Sequence, residues 1–187
     1  GERSAIGTYA FTGGGLVVEG GLRRGDKGMA PLLARIPFPT NWWCIVGVPH
    51  TAPGVSGADE ALAFAKLPPP PERDAERVSH LVLMGLLPAL ADANLATFGS
   101  ALSAIQSITG RWFAAAQGGT FAPGPSENLV RSMIKWGALG VGQSSWGPAV
   151  YGIVEGTNAG RHLAEQVRRV LGDAGSVYEG PFRSEGA

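Results

Sequence analysis

Apolar and polar residues follow each other along the chain with two periods, one typical of β-strands and one typical of amphipathic helices. The helical segments are long and carry apolar residues three or four positions apart, whereas the strand segments are short apolar runs. The pattern predicts strands at 15–19, 42–48, 139–141, 150–155 and 176–179, and helices at 58–65, 74–95, 98–116, 126–136 and 158–171.

The alternation of strands with helices predicts an α/β fold, an open sandwich in which helices cover a sheet. Pro88 falls inside the helix predicted at 74–95 and should kink or break it. Ser126 is the predicted cap of the helix at 126–136. The two long helices should pack through apolar positions at helical spacing, namely Leu83, Leu86, Leu87, Leu90, Leu102, Ile105 and Ile108.

The composition is that of a soluble chain with part of its surface covered. Its 187 residues carry 15 basic and 15 acidic side chains, so no charge excess indicates nucleic acid or a membrane surface. Charged residues make up 16% of the chain, against about 25% in a typical domain. We therefore expect a further part of the protein or a second subunit to cover part of the surface. No apolar run reaches the roughly 20 residues of a membrane helix. Cys44 lies in an apolar run, which predicts a small buried hydrophobe in a reduced, cytoplasmic protein.

The segment at 135–150, KWGALGVGQSSWGPAV, has glycine, serine and an amide where a core strand would carry apolar bulk. Gly137, Gly140 and Gly142 can adopt positive φ and let backbone N–H groups approach an anion closely. Gln143 and the two serines after it add neutral hydrogen-bond donors. The pattern indicates a phosphate or nucleotide contact, and the alternative is a glycine-rich turn packed against a neighbouring backbone.

The run Gln-Ser-Ser-Trp-Gly-Pro at 143–148, with Tyr151 after it, resembles the C-terminal signature of the β-ribofuranosylaminobenzene 5'-phosphate synthases, a branch of the GHMP kinase superfamily. The opening stretch RSAIGT at 3–8 resembles the family's RSGIGT motif, with Ala5 in place of a glycine. Further matches follow in family order: Phe11, Pro49, Ser56, Gly57, Glu60, Phe98, Gly99, Phe113, Gln117, Gly118 and Gly119.

The resemblance implies the GHMP-type C-terminal domain, in which an antiparallel sheet carries helices packed on one face. It assigns residues 1–40 to the end of the GHMP N-terminal domain and its connection, and 41–187 to the C-terminal domain. The superfamily's phosphate loop precedes these motifs, and no segment here resembles it. We therefore expect the chain to be the C-terminal portion of a longer protein, inactive without its N-terminal half.

The resemblance also implies an enzyme that condenses 5-phosphoribosyl 1-pyrophosphate with 4-aminobenzoate or 4-hydroxybenzoate. Carbon dioxide and pyrophosphate are released, as a step of tetrahydromethanopterin biosynthesis in one-carbon metabolism. Mg²⁺ is the implied cofactor and a homodimer the implied assembly.

Two other functions stay open: an ATP-dependent small-molecule kinase of the same superfamily, and a non-catalytic ligand-binding homologue. Many GHMP kinases carry a catalytic aspartate at the position that Gly7 occupies here. No carboxylate occurs between Glu2 and Glu19, and glycine cannot act as a general base, so the sequence argues against the kinase.

The catalytic residues stay unassigned, and the candidate contacts come from the two motifs. The guanidinium of Arg3 suits a phosphate or a carboxylate, with an exposed surface arginine as the alternative. The indole of Trp146 either forms a wall of an aromatic pocket or packs in the core, and packing is favoured. Lys135 is interpreted as a charge offsetting a helix dipole. The predicted substrate or phosphate-binding residues are Arg3, Ser4, Gly140, Gly142, Gln143, Ser144, Ser145 and Trp146.

The three histidines, His50, His80 and His162, lie far apart and lack metal-ligand spacing, so no metal site is predicted on them. His50 follows a predicted strand directly, in a loop position where functional residues are common.

Overall fold

The computed structural model describes residues 4–22, 28–51 and 57–186, and the side chains of 57–61 are left aside. The α-helices are α1 (Ile6–Gly13), α2 (Gly57–Lys66), α3 (Glu72–His80), α4 (Leu87–Ala91), α5 (Leu95–Gln117), α6 (Pro125–Lys135) and α7 (Thr157–Leu171). A π-helical turn, Leu81–Leu86, joins α3 to α4, and a 3-10 turn, Gly172–Ala174, follows α7. The strands are β1 (Leu16–Glu19), β2 (Leu32–Ile36), β3 (Trp42–Pro49), β4 (Gly140–Gln143), β5 (Val150–Glu155) and β6 (Gly175–Pro181).

The chain divides into two compact units, Gly1–Trp42 with Pro181–Ala187, and Trp43–Gly180. In the first unit, β1 and β2 form an antiparallel pair with an irregular register between Val18 and Glu19. Helix α1 is tied to this pair where the phenol of Tyr9 donates a hydrogen bond to the carbonyl oxygen of Ala30 at 2.9 Å. The domain assignment at 1–40 and 41–187 stays a prediction.

The second unit is built on a four-stranded sheet with the order β4-β5-β3-β6, in which β4 and β5 run antiparallel. The apolar faces of α6 and α7 pack on it because both helices carry leucine and valine at helical spacing, to which α6 adds Met133. The core formed in this way includes Ile45, Leu129, Met133, Val150, Val154, Leu163 and Val167, all at most 4% exposed. This is the predicted α/β fold, a sheet that carries helices on one face.

The helix predicted at 74–95 differs from the structure around Pro88. The π-helical turn Leu81–Leu86 precedes the proline, which lies in the first turn of α4. A π turn contains one extra residue, so it makes room for the proline ring and shifts the helical phase. Leu83 is consequently 61% exposed, and its predicted place in the core is wrong, whereas Leu86 and Leu90 are buried as predicted.

Two elements and one cap also depart from the sequence pattern. Helix α1 and strand β2 were not predicted, because their apolar residues show neither period clearly. Gly124 is the N-cap of α6, and the predicted cap Ser126 lies inside the helix. The hydroxyl of Ser126 instead donates to the carbonyl oxygen of Pro148 at 2.8 Å.

Candidate functional site

Strand β4 lies at the edge of the sheet, and helix α5 satisfies its outward-facing N–H groups. The N–H of Ser144 donates to the carbonyl oxygen of Ala149 at 2.9 Å, so even-numbered residues pair with β5 and odd-numbered ones face outward. The N–H of Val141 donates to the hydroxyl oxygen of Ser103 at 3.2 Å. The N–H of Gln143 donates to the side-chain oxygen of Gln106 at 3.1 Å. Helix α5 thus covers the strand edge with side-chain acceptors.

The glycines of β4 permit this close approach. A Cβ on Gly140 would lie 3.0 Å from the Cα of Gly99 on α5. A Cβ on Gly142 would overlap the phenol of Tyr151 and reach 2.7 Å from Cδ of Gln106. Both glycines are buried in extended backbone, so the predicted positive φ is wrong for them. Gly137, with φ of 94°, adopts the left-handed conformation as predicted.

A tight turn joins β4 to β5 and contains the rest of the motif. The N–H of Gly147 donates to the carbonyl oxygen of Ser144 at 2.9 Å, which closes the turn. Ser145 has φ of 49° and Gly147 has φ of 74°, and the Gly147–Pro148 peptide bond is cis. Both Ser144 and Ser145 are exposed. The turn holds Ser145 on the side of α5.

The Gln143 amide is the centre of a hydrogen-bond network. Its side-chain oxygen accepts from the N–H of Ala122 at 2.6 Å. Its Nε2 donates to the side-chain oxygen of Gln117 at 3.2 Å and to the carbonyl oxygen of Ser145 at 2.9 Å. The side chain is 7% exposed, and every polar atom of the amide is engaged. Gln143 therefore positions the turn and the end of α5.

The amide of Gln117 is engaged in the same way. Its Nε2 donates to the carbonyl oxygens of Gly119 at 2.8 Å and Thr120 at 3.0 Å. Gly118 ends α5 in the left-handed conformation with φ of 90°, as expected of a helix C-cap. The segment therefore both ends the helix and forms part of the site.

These groups enclose a cavity of about 120 Å³, which we call the amide cavity. Its walls combine the Phe113 ring with neutral polar side chains, and none of its lining residues carries a charge. Within the described residues, Gln106 Nε2 and the Ser145 hydroxyl have no hydrogen-bond partner, so both are available to a ligand. The lining residues are Gln106, Thr109, Gly110, Phe113, Gln117, Thr120, Gln143 and Ser145.

Trp146 packs in an aromatic cluster beside the cavity. Its ring centroid lies 4.7 Å from that of Phe113 and 5.5 Å from that of Phe64. The side chain is 4% exposed, and Trp146 is not among the residues that line the amide cavity. The indole thus supports the Phe113 wall by packing.

The structure brings together only part of the predicted set. Gln143 and Ser145 line the cavity, Gly140 and Gly142 serve close packing, and Ser144 faces solvent. Arg3 lies outside the described residues. Gln106 has no predicted role, because one polar residue on a long helix is an ordinary feature of a sequence.

The first motif lies in the other unit of the chain. Ser4 is exposed, and its hydroxyl oxygen accepts from the N–H of Ile6 at 3.3 Å. The carboxylate of Glu19 accepts from the N–H of Ala5 at 2.6 Å, beside the start of α1. A carboxylate therefore reaches the RSAIGT motif from the next strand, which the sequence alone did not reveal. The Glu19 carboxylate accepts its hydrogen bond at the N-terminus of α1, where a negative charge is favourable.

The remaining candidates have structural surroundings. The His50 ring nitrogen Nε2 lies 3.0 Å from the Ser176 hydroxyl, and Lys135 is exposed in the last turn of α6. Over residues 4–22, 28–51 and 57–186, no group of three histidine, cysteine or acidic residues could hold a metal ion. The amide cavity offers no carboxylate, which Mg²⁺ prefers, so its lining does not fit the ion.

Burial keeps two acidic groups near the sheet protonated. It raises the pKa of the Cys44 thiol from 9.0 to about 12. Burial, followed by the charge of Cys44, raises the pKa of the Tyr151 phenol well above its usual range. Cys44 is half-buried, and its raised pKa agrees with the unreactive thiol that its apolar neighbours predict.

The chain is similar in sequence to curated proteins of known name. The chain is 32% identical over 198 residues to the β-ribofuranosylphenol 5'-phosphate synthase of Methanothermobacter thermautotrophicus, covering 100% of the chain and 58% of the relative. It is 34% identical over 171 residues to the synthase of the same name from Archaeoglobus fulgidus, covering 86% of the chain and 51% of the relative. The chain is homologous to these synthases along its whole length. It matches the C-terminal portion of these synthases, 58% and 51% of their length.

Solved structures place the chain in the GHMP kinase fold. L. major mevalonate kinase in complex with R-mevalonate aligns with a TM-score of 0.64 at 16% identity, over 92% of this chain and 50% of the kinase. Homoserine kinase from Cytophaga hutchinsonii aligns with a TM-score of 0.61 at 17% identity, over the same shares of the two chains. A comparison with protein-family models found no match. Among the described residues, no helix is long and apolar enough to cross a membrane.

Proposed function

We propose that the protein containing this chain transfers a phosphoribosyl group from 5-phosphoribosyl 1-pyrophosphate to 4-hydroxybenzoate or 4-aminobenzoate. The observation that carries the proposal is the match to curated synthases along the whole chain, at 32% identity. The relatives are named for a ribofuranosylphenol product, which favours 4-hydroxybenzoate as the acceptor. The same proposal includes tetrahydromethanopterin synthesis, a cytoplasmic enzyme, a homodimer and the need for the N-terminal half.

The proposed reaction exchanges one bond to the anomeric carbon for another. The bond between the anomeric carbon and pyrophosphate breaks. The anomeric carbon is attacked by the aromatic ring carbon that bears the carboxylate. The bond from the ring to the carboxylate then breaks, carbon dioxide leaves, and its electron pair restores the aromatic ring. The positive charge that develops on the ribose is stabilised by dipoles whose negative ends face it.

The amide cavity is suited to the aromatic acceptor. Its volume of about 120 Å³ is comparable to the about 150 Å³ of a protein cavity that binds benzene. Phe113 supplies a flat apolar wall, while Gln106 Nε2 and the Ser145 hydroxyl can donate to a carboxylate or to a para-hydroxyl group. A phosphate is a poorer occupant, because the lining contains no cation to offset its charge.

The family resemblance implies Mg²⁺, which would offset the charge of pyrophosphate, and no residue of the amide cavity would hold the ion. The amide cavity is therefore assigned to the acceptor, and the residues of this chain act by orienting the ring. Gln143 and Gln117 hold the walls in place, while Gln106 and Ser145 contact the acceptor.

The test is turnover by the full-length protein, supplied with 5-phosphoribosyl 1-pyrophosphate, Mg²⁺ and each carboxyl-labelled benzoate in turn. Equal release of labelled carbon dioxide and pyrophosphate supports the synthase. Consumption of ATP with an added alcohol, without either product, would establish the kinase instead. Ligand binding without turnover would establish a binding homologue. The isolated 187-residue chain is expected to be inactive.

A further inference from the structure

A second cavity, outside the amide cavity, lies between α3 and α5. Its volume is about 510 Å³, within the roughly 300–1,000 Å³ of small-molecule sites. Arg73, Arg77 and His80 line it from α3, and Arg111 lines it from α5. We call this cavity the arginine groove. It shares no residue with the amide cavity.

The guanidinium groups of the groove lack internal partners. Within the part of the chain that the structure describes, none of the three arginines has a carboxylate oxygen within 4.0 Å. Other arginines of the same unit are paired, Arg131 with Glu127 at 2.7 Å and Arg168 with Glu179 at 2.8 Å. The groove therefore presents several guanidinium donors that pair with no carboxylate of the described residues.

The helix dipole does not account for this arrangement. Basic residues often stabilise a helix C-terminus, and Arg77 and His80 lie in the last turn of α3. However, Leu81 and Leu87 both have right-handed helical conformation, so the helical backbone continues through the π turn into α4. Arg73 and Arg77 are four residues apart on one face, a like-charge spacing that weakens a helix. An anion between them would remove that repulsion.

The position of Arg111 is held by its neighbour. The indole N–H of Trp112 donates to the carbonyl oxygen of Pro68 at 2.7 Å, just before α3 begins. The Trp112 ring also packs against Phe113, with centroids 4.8 Å apart. These contacts tie α5 to the start of α3 and keep both walls of the groove in place.

We propose that the arginine groove binds a small phosphate-bearing molecule, with the three guanidinium groups as its ligands. The planar fork of arginine matches the oxygens of a phosphate in a bidentate way. Asp74 and Glu76 line the same groove, so three arginines stand against two carboxylates. That balance, on a chain of zero net charge, favours a compact anion over an extended polyanion such as nucleic acid.

The test is calorimetric titration of the full-length protein with pyrophosphate and with inorganic phosphate at low ionic strength. We expect saturable binding of pyrophosphate that weakens with added salt. Arg77→Gln and Arg111→Gln should each weaken it by about tenfold, because each loses a charge-assisted hydrogen bond. Arg161→Gln, an exposed arginine on α7, is the matched control and should leave the affinity unchanged.

Thermal unfolding checks that the variants are folded. We expect them to fold, because Arg77, Arg111 and Arg161 are all exposed. Pyrophosphate is also a product of the proposed synthase, so the groove is judged only by the binding that Arg77→Gln and Arg111→Gln remove and that Ser145→Ala leaves in place. Absence of saturable binding, or equal weakening by Arg161→Gln, would overturn the proposal. Pyrophosphate binding with unchanged stoichiometry and affinity in both groove variants would also overturn it.

Discussion

The side-chain oxygen of Gln106 accepts a hydrogen bond from the backbone N–H of Gln143 at 3.1 Å, across 37 residues of sequence. This contact joins the middle of α5 to the last residue of β4. It satisfies an edge N–H that would otherwise be exposed, and it leaves Gln106 Nε2 directed to the amide cavity. One side chain thus protects the sheet edge and forms a wall of the candidate site.

Replacing Gly99 with alanine should destabilise the protein by about 1–3 kcal/mol, because the added methyl group would overlap the carbonyl oxygen of Leu139. The sign is informative, since glycine to alanine within a helix usually stabilises by roughly 0.5–1 kcal/mol. Urea unfolding measures the difference. Gly180→Ala is the control, because no atom lies within 4 Å of its Cβ position. Unchanged or increased stability of Gly99→Ala would contradict the described packing of α5 on β4.

Replacing Gln143 with methionine should cost about 2–4 kcal/mol of unfolding free energy. The variant leaves the N–H of Ala122 and the side-chain oxygen of Gln117 without their partners. Thermal and urea unfolding report the loss. Gln166→Met is the matched control, because in the described part of the chain that side chain has a single hydrogen bond, accepted from the Arg169 guanidinium at 3.4 Å in an exposed position. Equal stability of the two variants would mean that the amide network contributes nothing.

The Cys44 thiol should make stability depend on pH in the alkaline range. Its pKa rises from 9.0 to about 12 on folding, so between these values the unfolded chain loses a proton that the folded chain keeps. Stability therefore falls as pH rises through this range. Urea unfolding at pH 8, 9 and 10 compares the protein with its Cys44→Ala variant. With rising pH, the free energy of unfolding of the unsubstituted protein should fall relative to that of the variant. A constant difference would show that the thiol is not desolvated in the folded state.

Periodicity was sufficient for the regular elements of the second unit. Strand β5 has the predicted bounds, 150–155, and α7 begins one residue before the prediction, because alternation and helical spacing are local properties. Hydrophobic periodicity does not predict the π turn, because one inserted residue shifts the helical phase and turns Leu83 outward.

The candidate site was less predictable than the fold. The motif at 143–148 predicted a site in this region, and that stays a prediction. The backbone N–H of Gln143 contacts Gln106, 37 residues away, and its side-chain amide contacts Gln117, 26 residues away. Such pairs depend on how α5 lies along β4, and no local pattern specifies that. Gly142 also had a role that periodicity does not reveal, because its missing side chain makes room for Tyr151.

The most direct test of the central claim, that the amide cavity holds the aromatic acceptor, is the steady-state kinetics of Ser145→Ala in the full-length protein. The control is Ser144→Ala, a serine of the same turn that does not line the cavity. We predict that Ser145→Ala raises KM for 4-hydroxybenzoate about tenfold and leaves KM for 5-phosphoribosyl 1-pyrophosphate unchanged, because one hydrogen bond to the acceptor is lost. An unchanged KM for the benzoate, or a raised KM for the phosphoribosyl donor alone, would contradict it.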